Sequence, residues 1–323
     1  RGAAPRALVD LAIGSVWEAN HVWLIFCLVV LWTAFSSVFA AIMTTLWVPL
    51  VLASFGILLR GAGFAFRHAT HGFRARRAFG VAFAVSSVVT PFCMGAVAGG
   101  IASGRVPVDG YGDEWTSWLN PTSVFAGVLA VATCAFLAAT FLVNEARSRR
   151  SEELEHYFTV RGIASGVVTG VLAVIGIAIL HADAEGFYDQ LVGGAIPVRA
   201  VSAVGGIGAV VALVRRQPVL ARSLAVVAAA ANVGGWGVGQ YPDIPPGEIT
   251  IDTLAESVTA IASRNRRLVA DLGPKAATPD GLKRHLEQNP IEAWTGGKGT
   301  GGTPYFAYEI GVFRTTFATT PDD

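Results

Sequence analysis

Val16-Trp17-Glu18-Ala19-Asn20-His21-Val22-Trp23 opens an apolar stretch of more than forty residues that closes on Leu59-Arg60-Gly61-Ala62-Gly63-Phe64-Ala65-Phe66-Arg67. One membrane-crossing helix needs roughly 20 apolar residues for a hydrocarbon core of about 30 Å. The stretch therefore predicts two crossings with a tight reversal near Phe35 to Val38. As an antiparallel hairpin it brings Glu18, Asn20 and His21 to the same membrane face as Arg60. A carboxylate or guanidinium within such helices costs on the order of 2.5–3.5 kcal/mol unless it is paired or faces a wet interior. Two readings stand side by side. Either Glu18 and Arg60 snorkel to the interface, or Glu18 is a protonatable group on an internal path and Arg60 the cation that tunes it.

Outward from this hairpin the composition agrees. Hydrophobic residues make up 53% of the chain and charged ones 15%, against about 25% charged in ordinary soluble domains. With a mean hydropathy of +0.53, the expected fold class is all-α integral membrane, a polytopic set of helical bundles. Seven apolar runs fit one crossing each, at about 18–35, 38–66, 79–101, 121–144, 161–181, 197–214 and 219–240. Small residues at Gly166 to Gly176 and Gly205 to Gly208 suit close approach of helices in lipid.

The loops set the orientation. Arg67, Arg74, Arg76 and Arg77, then Arg147, Arg149 and Arg150, then Arg215, Arg216 and Arg222 alternate with loops carrying Asp109, Asp113 and Glu114, then Asp183, Glu185 and Asp189. By the positive-inside rule the arginine-rich loops are cytoplasmic, which places Glu18 and Arg60 near that face; Arg105 is the main exception. Tyr111, Trp115, Trp118, Phe187, Tyr188, Trp236 and Tyr241 read as an aromatic belt at the opposite face. The basic residues form no long stripe with interleaved aromatics, so no nucleic-acid partner is expected.

Two domains are expected: residues 1–246 as the transmembrane helical domain, and residues 247–323 as a polar tail outside the membrane with one amphipathic helix around Ile251 to Leu272. Cys27, Cys93 and Cys134 lie in apolar runs without metal-ligand spacing, and are expected to be small buried hydrophobes. No metal site is expected. Haem needs inward-facing axial ligands, and His21, His68, His71, His156, His181 and His285 offer no facing pair, so no cofactor is expected on this chain alone.

The opening motif, the Leu59-to-Arg67 motif and Trp236-Gly237-Val238-Gly239-Gln240-Tyr241-Pro242 together resemble subunit II of the cytochrome bd-type quinol oxidases over about residues 1–250. The family pattern is tryptophan, acid, any residue, asparagine, any residue, valine, tryptophan, followed downstream by Leu-Arg-Gly-x-x-Phe-x-Phe-Arg and Trp-Gly-x-x-Gln-Tyr-Pro. The resemblance implies a complex in a bacterial inner or plasma membrane that oxidises quinol and reduces dioxygen to water. It also implies haem b and haem d on a partner, subunit I, with membrane lipid and quinone as further partners. Glu18 stands where the family usually has Asp on a proton path, with Arg60 as charge partner, Asn20 as a hydrogen-bonding amide and His21 on the same helix face as Glu18. Trp17 and Trp23 are expected to pack and anchor, with cofactor contact as the weaker reading. Relatives have nine membrane helices, so one helix before residue 1 and one after the Tyr-Pro motif are expected to be missing. The tail is expected to lie outside both the family and the cytoplasm. The competing readings are a secondary transporter, which usually shows internal repeats with broken helices, and an inert truncated scaffold fragment.

Overall fold

A computed structural model describes residues 3–13, 17–69, 72–107 and 112–240, without the side chains of 3, 13, 17–21, 34, 36–37, 67–69 and 73. The described residues form ten helices and no strand: α1 (Ala3–Ile13), α2 (Trp17–Ala34), α3 (Ser36–Thr45), α4 (Trp47–Ala69), α5 (Phe73–Ala102), α6 (Pro121–Ser148), α7 (Glu152–Asp183), α8 (Glu185–Gly193), α9 (Ile196–Val214) and α10 (Pro218–Gln240). Six of them, α4 to α7, α9 and α10, are long and apolar enough to cross a membrane, and the bent pair α2–α3 supplies up to a seventh. The expected polytopic, all-helical class is what the chain forms. The proposed tail, residues 247–323, lies outside the described residues.

The expected second span, 38–66, is corrected. It divides at Leu46 into α3 and α4, and the axis turns by 114° between Val22–Thr33 and Val38–Thr45. The 114° turn falls around Phe35, where the reversal is expected, and the break at Leu46 is an additional one. Val38, Ala41, Ile42 and Leu46 are buried against Ala96, Val97 and Ile101 of α5, and against Val106 and Trp118 of the following loop. Thr45 Oγ1 accepts the Gly112 N–H at 3.2 Å, fastening α3 beneath that loop. Val38, Ala41 and Ile42 of α3 are buried by protein, and hydropathy alone does not distinguish that from burial by lipid.

The pairs α4–α5, α5–α6, α6–α7 and α9–α10 pack antiparallel. Along the α5–α6 seam a Cβ on Gly99 would lie 2.6 Å from Ser123 Cα, and one on Gly95 would lie 2.7 Å from Ala130 Cβ. Two glycines four residues apart thus let the backbones meet, the small-residue device of membrane helices. Gly205 performs the same service between α9 and α10, where an added Cβ would meet Ala228 at 3.2 Å. A second core joins α6, α7, α9 and α10 through Phe136, Val143, Phe158, Ala209, Leu213 and Ala225, and Leu8 of α1 is buried in it.

Both arginine-rich turns that follow, α6–α7 and α9–α10, close in one way. Ser151 N donates to Ala146 O and Gln217 N to Ala212 O, and the residues before them, Arg150 and Arg216, have φ of 55° and 56°. That left-handed position after a helix is usually glycine. The two turns touch: Arg147 Nη1 donates to Arg216 O at 2.5 Å.

The cysteine expectation is corrected in part. Cys93 is buried, but Cys27 and Cys134 are exposed on the chain's own surface. An apolar neighbourhood in sequence marks a core-facing and a lipid-facing thiol alike.

Candidate functional site

Among the described residues, the expected proton-path cluster is represented by Arg60 and Trp23; the side chains of Trp17, Glu18, Asn20 and His21 lie outside them. Arg60 sits within the α4 span Trp47–Phe66 and is exposed. Its guanidinium carbon is 5.4 Å from the Phe83 ring centroid on α5, within cation–π range. Residues 19–108 contain no Asp or Glu, while Arg60, Arg67, Arg74, Arg76, Arg77 and Arg105 all fall in that stretch. Glu18 is thus the first acid upstream of Arg60 and Asp109 the first downstream. Trp23 is 67% exposed and meets Phe26 edge-on at 6.0 Å.

An apolar surface surrounds these groups. Val22, Trp23, Leu24, Ile25, Phe26, Leu28, Val29 and Val30 of α2 are all exposed, as are Val51, Leu52, Phe55, Leu58 and Leu59 of α4. Consecutive exposed residues cover the whole circumference of α2. α4 packs chiefly against α5.

At the opposite, acid-bearing end lies a polar site that loop charges alone do not reveal. Arg105 Nη1 donates to Asp183 Oδ2 at 3.1 Å and Nη2 to Oδ1 at 2.6 Å. Thr122 donates to the same Oδ2 from its backbone N–H at 3.1 Å and its hydroxyl at 2.6 Å. One carboxylate therefore ties the α5–α6 loop, the start of α6 and the end of α7. It also completes the start of α6, whose first N–H groups have no intrahelical acceptor. Pro121 has no N–H, Thr122 is served by Asp183, Ser123 N donates to the Asn120 side chain at 2.8 Å, and Val124 N makes the first turn to Asn120 O at 3.0 Å. Arg105, the exception to the loop-charge rule, is thus neutralised in place. Its partner is 78 residues away, beyond any local pattern.

The third motif has a structural part in view. Trp236 Nε1 donates across to Ala98 O of α5 at 3.2 Å, so Trp236 bridges helices where a belt anchor was expected. Trp118 and Phe187 are buried, at 7% and 6% exposure, whereas Trp115, at 56%, is placed as an anchor would be. Gln240 is buried, and neither atom of its amide finds a partner among the described residues.

Among the described residues no three metal-binding side chains converge. His156 and His181 stand near opposite ends of α7 and both are exposed; His181 stacks edge-on against Tyr188 at 4.8 Å. At opposite ends of one helix, these two histidines cannot face each other as the axial pair of a haem.

Apolar crossings packed in antiparallel pairs, closed by glycine seams and pinned by the Arg105–Asp183 ion pair, define a polytopic helical membrane protein. The profile of the cytochrome bd terminal oxidase subunit II family matches residues 2–263. The chain belongs to that family. Over 149 residues it is 29% identical to the cytochrome bd-I ubiquinol oxidase subunit 2 of Escherichia coli strain K12, covering 44% of this chain and 39% of that protein. Over 132 residues it is 24% identical to the cytochrome bd ubiquinol oxidase subunit 2 of Bacillus subtilis strain 168, covering 40% and 38%. The aligned part thus spans about two fifths of either curated relative.

Proposed function

We propose that this chain is the second subunit of a membrane oxidase that takes electrons from quinol and reduces dioxygen to water, and that it supplies a proton route and a broad apolar interface. The family match over residues 2–263 carries the proposal. The haems and the quinol site are assigned to a partner subunit, which covers part of the exposed surface of α2 and α4. The proton route begins at Glu18. A relay carboxyl must take up and release a proton near neutral pH, and both burial and a neighbouring cation set where it does so. Arg60 is proposed as that cation, supported by its place inside a span and by the lack of any acid in residues 19–108. Asn20 and His21 are proposed to extend the route as hydrogen-bonding groups, while Trp17 and Trp23 anchor the helix end. The polar residues 247–323 are proposed as a separate part on the non-cytoplasmic side of the bacterial inner or plasma membrane.

The test is co-purification of the tagged chain followed by reduced-minus-oxidised visible spectra. Haem b and d bands travelling with the chain are expected; a colourless chain without a partner overturns the assignment. In the assembled complex, Glu18→Gln is expected to slow quinol-driven oxygen uptake with the haem bands intact. Arg60→Leu is expected to shift the pH profile of turnover, and an unmoved profile removes Arg60 from the route.

A further inference from the structure

A shallow groove of about 590 Å³ runs along the outer face of α4 and α5, lined by Leu59, Arg74, Arg77, Ala78, Val81, Ala82 and Val85. All but Leu59 are on one stripe of α5, at helical spacing, and the two arginines lie together at one end. Both are exposed, as are Ala78, Val81 and Val85 of the apolar wall, the valines at 55% and 53%, while Ala82 is half-buried. Neither arginine has a carboxylate partner among the described residues. None can come from α4, α5 or their turn, because residues 19–108 contain no Asp or Glu. Their counter-charge must therefore come from outside this helix pair.

We propose that the groove binds one anionic phospholipid, its headgroup phosphate held between Arg74 and Arg77 and an acyl chain lying along Ala78, Val81, Ala82 and Val85. Length supports a lipid. The rise from Arg74 to Val85 is about 16 Å at ~1.5 Å per residue, close to half of a hydrocarbon core of about 30 Å. One leaflet's chain therefore fits the wall while its phosphate stands level with the guanidiniums. Arginine matches phosphate through paired N–H donors, and basic pockets beside membrane helices suit anionic headgroups. A zwitterionic lipid offers the same chain but no net charge.

The test uses the full chain in detergent, with whatever subunit accompanies it, titrated with phosphatidylglycerol or with phosphatidylcholine of the same acyl chains. Bound lipid is read by native mass spectrometry and protection by thermal unfolding. Phosphatidylglycerol is expected to bind and protect preferentially. Arg74→Gln/Arg77→Gln is expected to weaken it by about twenty-five-fold, at roughly fivefold for each arginine near a headgroup. Val81→Trp, which fills the groove and keeps both charges, is expected to lower binding of phosphatidylglycerol as well. Glycerol phosphate is the headgroup control and is expected to have no effect at the same concentrations. Equal binding of the two lipids by the unaltered chain overturns the proposal, as does glycerol phosphate matching the lipid, or a folded double variant that keeps the preference. If the double variant does not fold, Val81→Trp decides, and undiminished phosphatidylglycerol binding there overturns the groove as the site.

Discussion

Removing the carboxylate of Asp183 tests its clasp with Arg105 and Thr122 most directly. Asp183→Ala takes away the acceptor of four hydrogen bonds, two from Arg105 and two from Thr122. The side chains of Arg105 and Asp183 are 35% and 15% exposed, so the pair is neither fully screened nor fully dry. An exposed pair is worth about 0–1 kcal/mol; bidentate geometry and partial burial place this one at roughly 1–2 kcal/mol. The Thr122 N–H is an orphan donor at a helix start, and loss of its acceptor costs about 1 kcal/mol more. The sum, roughly 2–3 kcal/mol, lowers the unfolding midpoint by about 5–10 °C for a helical region of this size. Thermal unfolding of the full chain in one detergent, followed by tryptophan fluorescence, measures it. Asp183→Asn keeps an oxygen for Thr122 but loses the charge that Arg105 needs, and should fall between the two. Arg105→Ala and the double variant complete a cycle. A coupling below about 0.5 kcal/mol, or an unmoved midpoint for Asp183→Ala, would refute the assignment of the clasp.

Gly99→Leu should lower the midpoint by more than Gly99→Ala, which itself is expected to cost about 1–3 kcal/mol, because even a Cβ meets the Ser123 backbone at 2.6 Å; unfolding midpoints of the two variants check the order. Arg147→Ala removes the donor to Arg216 O and the 3.4 Å contact with Glu155, so trypsin should cut the α9–α10 turn faster than in the unaltered chain. Asp113 accepts hydrogen bonds from the backbone of Thr116 and Trp115 and from the Thr116 hydroxyl, which hold its carboxyl below the usual range. A depressed value makes this turn's contribution present above the ordinary aspartate pKa and lost as pH falls through the folded one. Trp115 fluorescence should therefore change on acidification below the ordinary range, and the change should vanish in Asp113→Ala.

The crossings were readable because lipid demands an apolar length, and length is a local property of sequence. What length does not encode is which protein or lipid surface covers the apolar side chains. That is why α3 merges with α4 in hydropathy, although Leu46 is fully buried at 0% exposure while Trp47 beside it is 45% exposed. The same limit hid the difference between Cys93 and Cys134. Polar contacts across the bundle were less legible still. Arg105 and Asp183 are 78 residues apart, and only packing of α5, α6 and α7 makes them one site. Arg60 was found because a lone cation in an apolar run is conspicuous, whereas Phe83, its ring neighbour on α5, looks like any other apolar residue.

Arg150 and Arg216 occupy backbone positions where glycine would relax more easily. Glycine there should stabilise the finished fold by up to about 1 kcal/mol, since the left-handed penalty on a side chain is roughly 1–2 kcal/mol and glycine gives part of that back in unfolded-chain entropy. By the positive-inside rule, arginines in short loops bias which way nascent helices thread through the bilayer, and both residues stand in such loops. Selection for conformational ease and selection for correct threading therefore oppose each other at these two residues. A variant made sturdier by Arg150→Gly and Arg216→Gly should emerge from the insertion machinery with more inverted copies.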